Sequence, residues 1–126
     1  MKKKKIDISV IIPIFNSEKF LSKCLNSVIS QSLKTIEIIC IDDGSTDNSL
    51  QILKKLKDFD ERLIIIHQEN KGPAISRNLG IKISKGKFIA FLDSDDLYPN
   101  NFILELMFNN AIKNKKSYYT YEQRKI

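Results

Sequence analysis

Apolar residues along this chain change their period in a regular way. Ile6 to Ile14 is a nearly continuous β-branched run, the pattern of a strand covered on both faces. Leu21, Cys24, Leu25, Val28 and Ile29 then recur at i, i+3, i+4, i+7 and i+8, which predicts an amphipathic helix from about Glu18 to Gln31. The alternation repeats. Ile36 to Ile41 reads as a second strand, Leu50, Leu53 and Leu56 as a second helical stripe, and Leu63 to Ile66 as a third strand. Ala74 to Ser84 reads as a third helix that Gly86 ends, and Phe88 to Leu92 as a fourth strand. Pro99, suited to a first helical turn, opens a fourth helix through about Lys113.

The order β-α-β-α-β-α-β-α with short connections predicts an α/β, Rossmann-like fold with a mainly parallel sheet of about four strands. In open sheets of this kind ligands bind beyond the carboxyl ends of the strands. Those ends carry Pro13-Ile14-Phe15-Asn16, Asp42-Asp43-Gly44-Ser45, Gln68 through Gly72, and Asp93-Ser94-Asp95-Asp96. Nearly all the chemically suggestive residues therefore fall on one edge.

At 126 residues with 42% apolar content, the chain suffices for one domain. The formal charge of +6 suggests a nucleic-acid partner until it is located. Lys2 to Lys5 contribute +4 and the stretch from Lys113 onward another +4, leaving residues 6–112 slightly acidic. A folded basic face for phosphate contacts is missing, which argues against nucleic acid. The expected organisation is a basic tail at 1–5, a domain at 6–113 and a polar basic tail at 114–126. Basic tails of this kind suit peripheral contact with an anionic membrane surface as well as simple solvation. No apolar run reaches the length of a membrane span, and no export signal is read, so the expected location is cytoplasmic, peripheral at the inner face of the membrane if the tails engage it. Cys24 and Cys40 match neither a disulfide framework nor a metal spacing, and both are expected to be buried free thiols.

Three carboxylates within Asp93-Ser94-Asp95-Asp96 would repel one another without a cation. On extended backbone Asp93 and Asp95 point the same way and form an oxygen-rich half-site for Mg²⁺ or Mn²⁺. The competing reading is an acidic helix start. After the second strand, Gly44 to Asp47 reads as a turn with Thr46 or Asp47 capping the next helix, which leaves Asp42 and Asp43 unexplained. The first loop holds no G-x-G-x-x-G and the chain no P-loop, which argues against a dinucleotide cofactor. Lys71, Gly72 and Arg77 offer positive charge to a phosphate or merely a solvated surface. Phe15 offers a stacking face or a packing contact, and the lone His67 reads as structural.

Taken in order, Ser9 to Asn16, Cys24 to Val28 with Gln31, Glu37 to Asp47, Asn70-Lys71-Gly72 with Ser76 to Gly80, and Phe91 to Asp96 resemble the family 2 glycosyltransferases. The resemblance spans about Ile8 to Pro99 and implies the GT-A fold. It implies that Pro13, Phe15, Asn16 and Glu18 contact the nucleoside, that Asp43 with Asp42 beside it binds the base, usually uracil, and that Lys71, Gly72, Arg77 and Asn78 line the nucleotide-sugar site. It also implies that the D-x-D element, Asp93 and Asp95 around Ser94, holds the donor diphosphate through Mn²⁺ or Mg²⁺, with Asp95 the direct ligand. Phe15 stands where the family more often has tyrosine. The implied activity is transfer of a sugar, with inversion, from a nucleotide donor to a hydroxyl of a glycan or lipid-linked acceptor. The family's general base lies well downstream of the D-x-D element. After Asp96 this sequence offers only Glu105 and Glu122. The expectation is a donor half without its acceptor half, with catalysis by the chain alone in question and self-association at an open sheet edge.

Overall fold

The β-branched runs form four strands and the periodic stripes four helices. In the computed structural model, which describes residues 4–114, these are β1 (Ile8–Ile14), α1 (Leu21–Ile29), β2 (Ile36–Asp43), α2 (Ser49–Lys57), β3 (Leu63–Gln68), α3 (Pro73–Ile83), β4 (Phe88–Phe91) and α4 (Ile103–Asn114). The expected basic tails lie outside the described residues except for Lys4, Lys5 and Asn114. All strand pairings are parallel, in the order β3-β2-β1-β4. Strands β1 and β2 are interior to the sheet, and their near-complete burial explains why alternation is invisible in their sequences.

Alternate residues of β1 divide the core. Ile8, Val10, Ile12 and Ile14 pack with Leu21, Leu25 and Val28 of α1, Leu53 of α2, and Leu104 and Met107 of α4. Ile11 faces the other side, where Ile39, Ile41, Leu79 and Ile83 enclose it under α3. The chain steps from β1 to β2 to β3 in one direction and then returns past β1 to lay down β4. The order therefore reverses between β1 and β4, the place where α/β sheets open a crevice for ligands.

Several expected boundaries shift. Helix α1 starts at Leu21 rather than Glu18, because the amides of Phe20 and Leu21 both turn back to the Ser17 carbonyl. Strand β2 runs through Asp43, so Asp42 and Asp43 belong to the strand rather than to the loop after it. Helix α3 opens at Pro73 and ends at Ile83, before Gly86. Helix α4 begins at Ile103 instead of Pro99. Asn100 Oδ1 accepts the Phe102 amide and holds that stretch in a turn, while buried Gln31 accepts the Leu104 amide and donates to the Asn100 carbonyl.

Candidate functional site

The β1–α1 turn is built by hydrogen bonds across 30 residues of sequence. Asn16 adopts a left-handed conformation (φ 47°) that asparagine tolerates, and its Oδ1 accepts the amides of Thr46 (2.7 Å) and Asp47 (3.3 Å). Glu18 accepts from the Asn48 amide, and Asp47 accepts from the amides of Glu18 and Ser49. Ser17 is buried and tied on two sides: its amide donates to Ser49 Oγ and its hydroxyl meets Ser94 Oγ at 2.5 Å. Asn16 and Glu18 thus lace two loops together, and Ser17 joins both to the acidic loop after β4. The N-cap of α2 is Asn48, with no side-chain cap bond, rather than Thr46 or Asp47; Asp47 instead closes a turn onto the Ser49 amide just ahead of the helix.

Asp43 ends β2 with its carboxylate against the β3–α3 loop. Oδ1 accepts from Lys71 N (2.7 Å) and Gln68 Nε2 (2.9 Å), and Oδ2 from Gly72 N (2.9 Å). Burial works to raise the pKa of this carboxyl, and the hydrogen bonds from Lys71, Gln68 and Gly72 outweigh it, so the group sits below the usual carboxylate range. Gly72 takes φ +96°, a conformation that only glycine adopts at little cost and that turns its amide onto Asp43.

The acidic loop is a turn rather than extended strand. Asp96 N–H donates to the Asp93 carbonyl at 3.0 Å, and this closure gathers carboxylate oxygens of Asp93, Asp95 and Asp96 within 4.8 Å of one another. The helix-start reading of these acids fails, since α4 begins only at Ile103. An all-oxygen donor set of this kind fits a hard divalent cation such as Mg²⁺ or Mn²⁺ and not a soft metal. Arg77 of α3 reaches across to Asp93 at 3.2 Å.

These elements border one cleft of about 360 Å³, lined by Pro13, Phe15, Asn16, Asp43, Arg77, Asp93, Ser94 and Asp95 among the sequence-predicted residues. Phe15, in this lining, is 43% exposed. Ile14, Ser17, Phe20, Pro73 and Ser76 line it too, without having been predicted. Five predicted residues lie outside the lining. Glu18 is held by the neighbouring loop, Lys71 and Gly72 act on Asp43 through their amides, and Asn78 is exposed on α3. Asp42 points to the opposite face of β2, fully buried, where Oδ2 lies 2.6 Å from Nδ1 of His67, its register partner on β3. His67 is thus tied to the strand end, in keeping with its structural reading. Both cysteines are buried free thiols.

Fold and cleft together define a parallel α/β domain whose switch-point crevice is lined by a fixed carboxylate, the Arg77 guanidinium and an acidic turn. Residues 9–126 match the model of glycosyl transferase family 2, and the chain belongs to that family. It is 40% identical over 121 residues to glycosyltransferase GlyG of Streptococcus pneumoniae, covering 92% of this chain and 40% of that protein. Among solved structures, S. aureus TarS 1-349 in complex with UDP-GlcNAc superposes with TM-score 0.79 at 33% identity, covering 87% of this chain and 32% of that one. The mannosyltransferase PcManGT from Pyrobaculum calidifontis, in complex with GDP-Man and Mn²⁺, shares the fold at TM-score 0.74 and 21% identity, covering 86% of this chain and 32% of its own. The chain thus spans well under half the length of these relatives.

Proposed function

We propose that this chain is the donor-binding part of a metal-dependent, inverting glycosyltransferase that uses a UDP-sugar and serves cell-surface polysaccharide or glycan synthesis. The observation that carries the reading is the convergence of Asp43, Arg77 and the Asp93–Asp96 turn on the switch-point cleft. An ionised Asp43 accepts a ring N–H of the base, Phe15 offers a face for it to stack on, and Arg77 offers charge to the diphosphate. Asp95 and Asp93 would hold the divalent ion. When bound, such an ion neutralises charge on the departing nucleoside diphosphate. TarS, crystallised with UDP-GlcNAc, supports the donor class, and the Mn²⁺ of PcManGT supports the metal.

Domain boundaries at 6–113, peripheral contact of the tails with an anionic membrane and self-association belong to the same proposal. Among the described residues no helix is long and apolar enough to cross a membrane. A second reading, a nucleotide-binding module without transfer, is favoured by one observation: Glu105 sits on α4 beside Ser32, outside the cleft, and offers no base there.

Calorimetric titration with UDP, with and without Mn²⁺, tests the proposal. Metal-dependent binding that disappears in Asp95→Ala supports it, and absence of UDP binding under both conditions contradicts it. Sugar release from a UDP-sugar by the same protein separates the two readings.

A further inference from the structure

The Asp43 carboxylate belongs to a closed ring of hydrogen bonds. Gln68 Nε2 donates to Asp43 Oδ1 (2.9 Å) and to Ser76 Oγ (3.1 Å); Ser76 Oγ donates to the Gly72 carbonyl (3.0 Å); Gly72 N–H returns to Asp43 Oδ2 (2.9 Å). Chemistry fixes the direction of every link. The carboxylate only accepts, and the serine spends its single proton on a carbonyl, so both must face the amide nitrogen of Gln68 rather than its oxygen. The ring clamps both ends of the β3–α3 loop, since Gln68 is the last residue of β3 and Gly72 precedes Pro73.

We propose that Gln68 is a positioning residue that sets the base specificity of the donor site. This rests on the donor-site reading above. An ionised carboxylate offers about four acceptor positions, and three on Asp43 are taken: two on Oδ1, by Gln68 and Lys71, and one on Oδ2, by Gly72. Oδ2 therefore keeps the position that meets a ligand in the cleft. A base with a ring N–H at its pairing edge, as in uracil, donates to it. Cytosine presents a lone pair at that ring position and is repelled. Without the Gln68 donor, Oδ1 regains an acceptor position and only the Lys71 and Gly72 amides hold the carboxylate, so Oδ2 is no longer its single open oxygen. Asp43 and Gln68 are register partners on adjacent strands, which gives this contact a rigid base.

The test compares UDP, CDP and inorganic pyrophosphate as ligands of the full chain in Mn²⁺, by calorimetry, in the native protein and in Gln68→Met, which keeps the side chain's length and removes its donor. The native chain is expected to prefer UDP to CDP by on the order of 10-fold or more, and Gln68→Met to bring that ratio down by about 10-fold. Pyrophosphate affinity, which reports only the acidic turn and Arg77, is expected to stay within about twofold. Ser76→Ala cuts the same ring without touching Asp43 and should lower the UDP-to-CDP ratio in the same direction. It decides the matter if Gln68→Met does not fold. An unchanged ratio in the variants, or parallel loss of pyrophosphate binding, overturns the inference. A native chain that binds no UDP overturns the donor reading itself and this inference with it, and one that binds UDP and CDP equally overturns only this inference.

Discussion

Replacing Gly80 by alanine tests how the fold sets the position of α3, the helix that brings Ser76 and Arg77 to the cleft. A Cβ at Gly80 would lie 2.5 Å from Ile11 Cγ2 and 3.1 Å from its Cγ1 and Cδ1. Ordinary carbon contacts fall at about 3.5–4.0 Å. Ile11 is wholly buried among Ile39, Ile41, Leu79 and Ile83 and has nowhere to go, so α3 must move outward. Overpacking of this kind costs about 1–3 kcal/mol, while exchanging glycine for alanine inside a helix returns about 1 kcal/mol. A net loss of up to about 2 kcal/mol is expected, read as a lower urea midpoint at unchanged slope. The control is the same exchange in an Ile11→Ala background. That background alone costs about 2–5 kcal/mol, but it removes the colliding atoms, so Gly80→Ala should then be neutral or stabilising by about 1 kcal/mol. Equal destabilisation in both backgrounds, or full stabilisation of the native chain by Gly80→Ala, would refute the close-approach argument.

Further predictions rest on the buried groups. His67→Ala removes the imidazole that faces the buried Asp42 carboxyl and should cost about 1–3 kcal/mol, and Asp42→Asn in the same chain should recover much of that, measured by urea unfolding. Burial, with a smaller contribution from nearby Cys24, raises the pKa of Cys40 above its ordinary 9.0, and burial followed by the charges of Asp96, Asp95 and Asp93 pushes Cys24 up to about 12. Neither thiol should react with a disulfide reagent in the folded chain, while both react in denaturant. Because the folded pKa of Cys40 lies above the unfolded one, its contribution to stability is complete below about pH 9 and lost as pH rises beyond it; a urea midpoint that holds steady into that range would contradict this. The acid side has the opposite sign. Asp43, Asp47 and Asp60 are held below their ordinary 3.8, so the stability they lend is present above that pH and disappears as pH falls through their folded values.

The alternating periods in the sequence carry the strand and helix order because β1 and β2 are buried on both faces and α1 carries one apolar stripe. Boundaries that depend on distant partners were not legible. The start of α4 is set by Gln31, about seventy residues earlier, and the Ser17 turn that precedes α1 is held by Ser49 and Ser94. In the site, residues read by charge or by resemblance divide by which way the strand or turn faces them. Asp43 faces the cleft while Asp42, one residue earlier on the strand, must face away. Gln68, at a strand end, and Ser76, within the family motif, carry no assigned role in the sequence because neutral polar residues give no signal until a partner stands opposite. The parallel register that sets Gln68 beside Asp43 could have supplied it.

On the proposed function, nucleotide and metal meet at the switch point between β1 and β4. Amide NMR spectra of the chain with UDP and Mn²⁺ test it most directly, since the paramagnetic ion broadens signals near it. Broadening is expected to centre on residues 93–96 and reach Ser76 and Arg77, with changes at Phe15 and Asp43 and little change at Glu61 and Lys85 at the other end of the sheet. Broadening centred away from residues 93–96, or none in the presence of UDP, would contradict it.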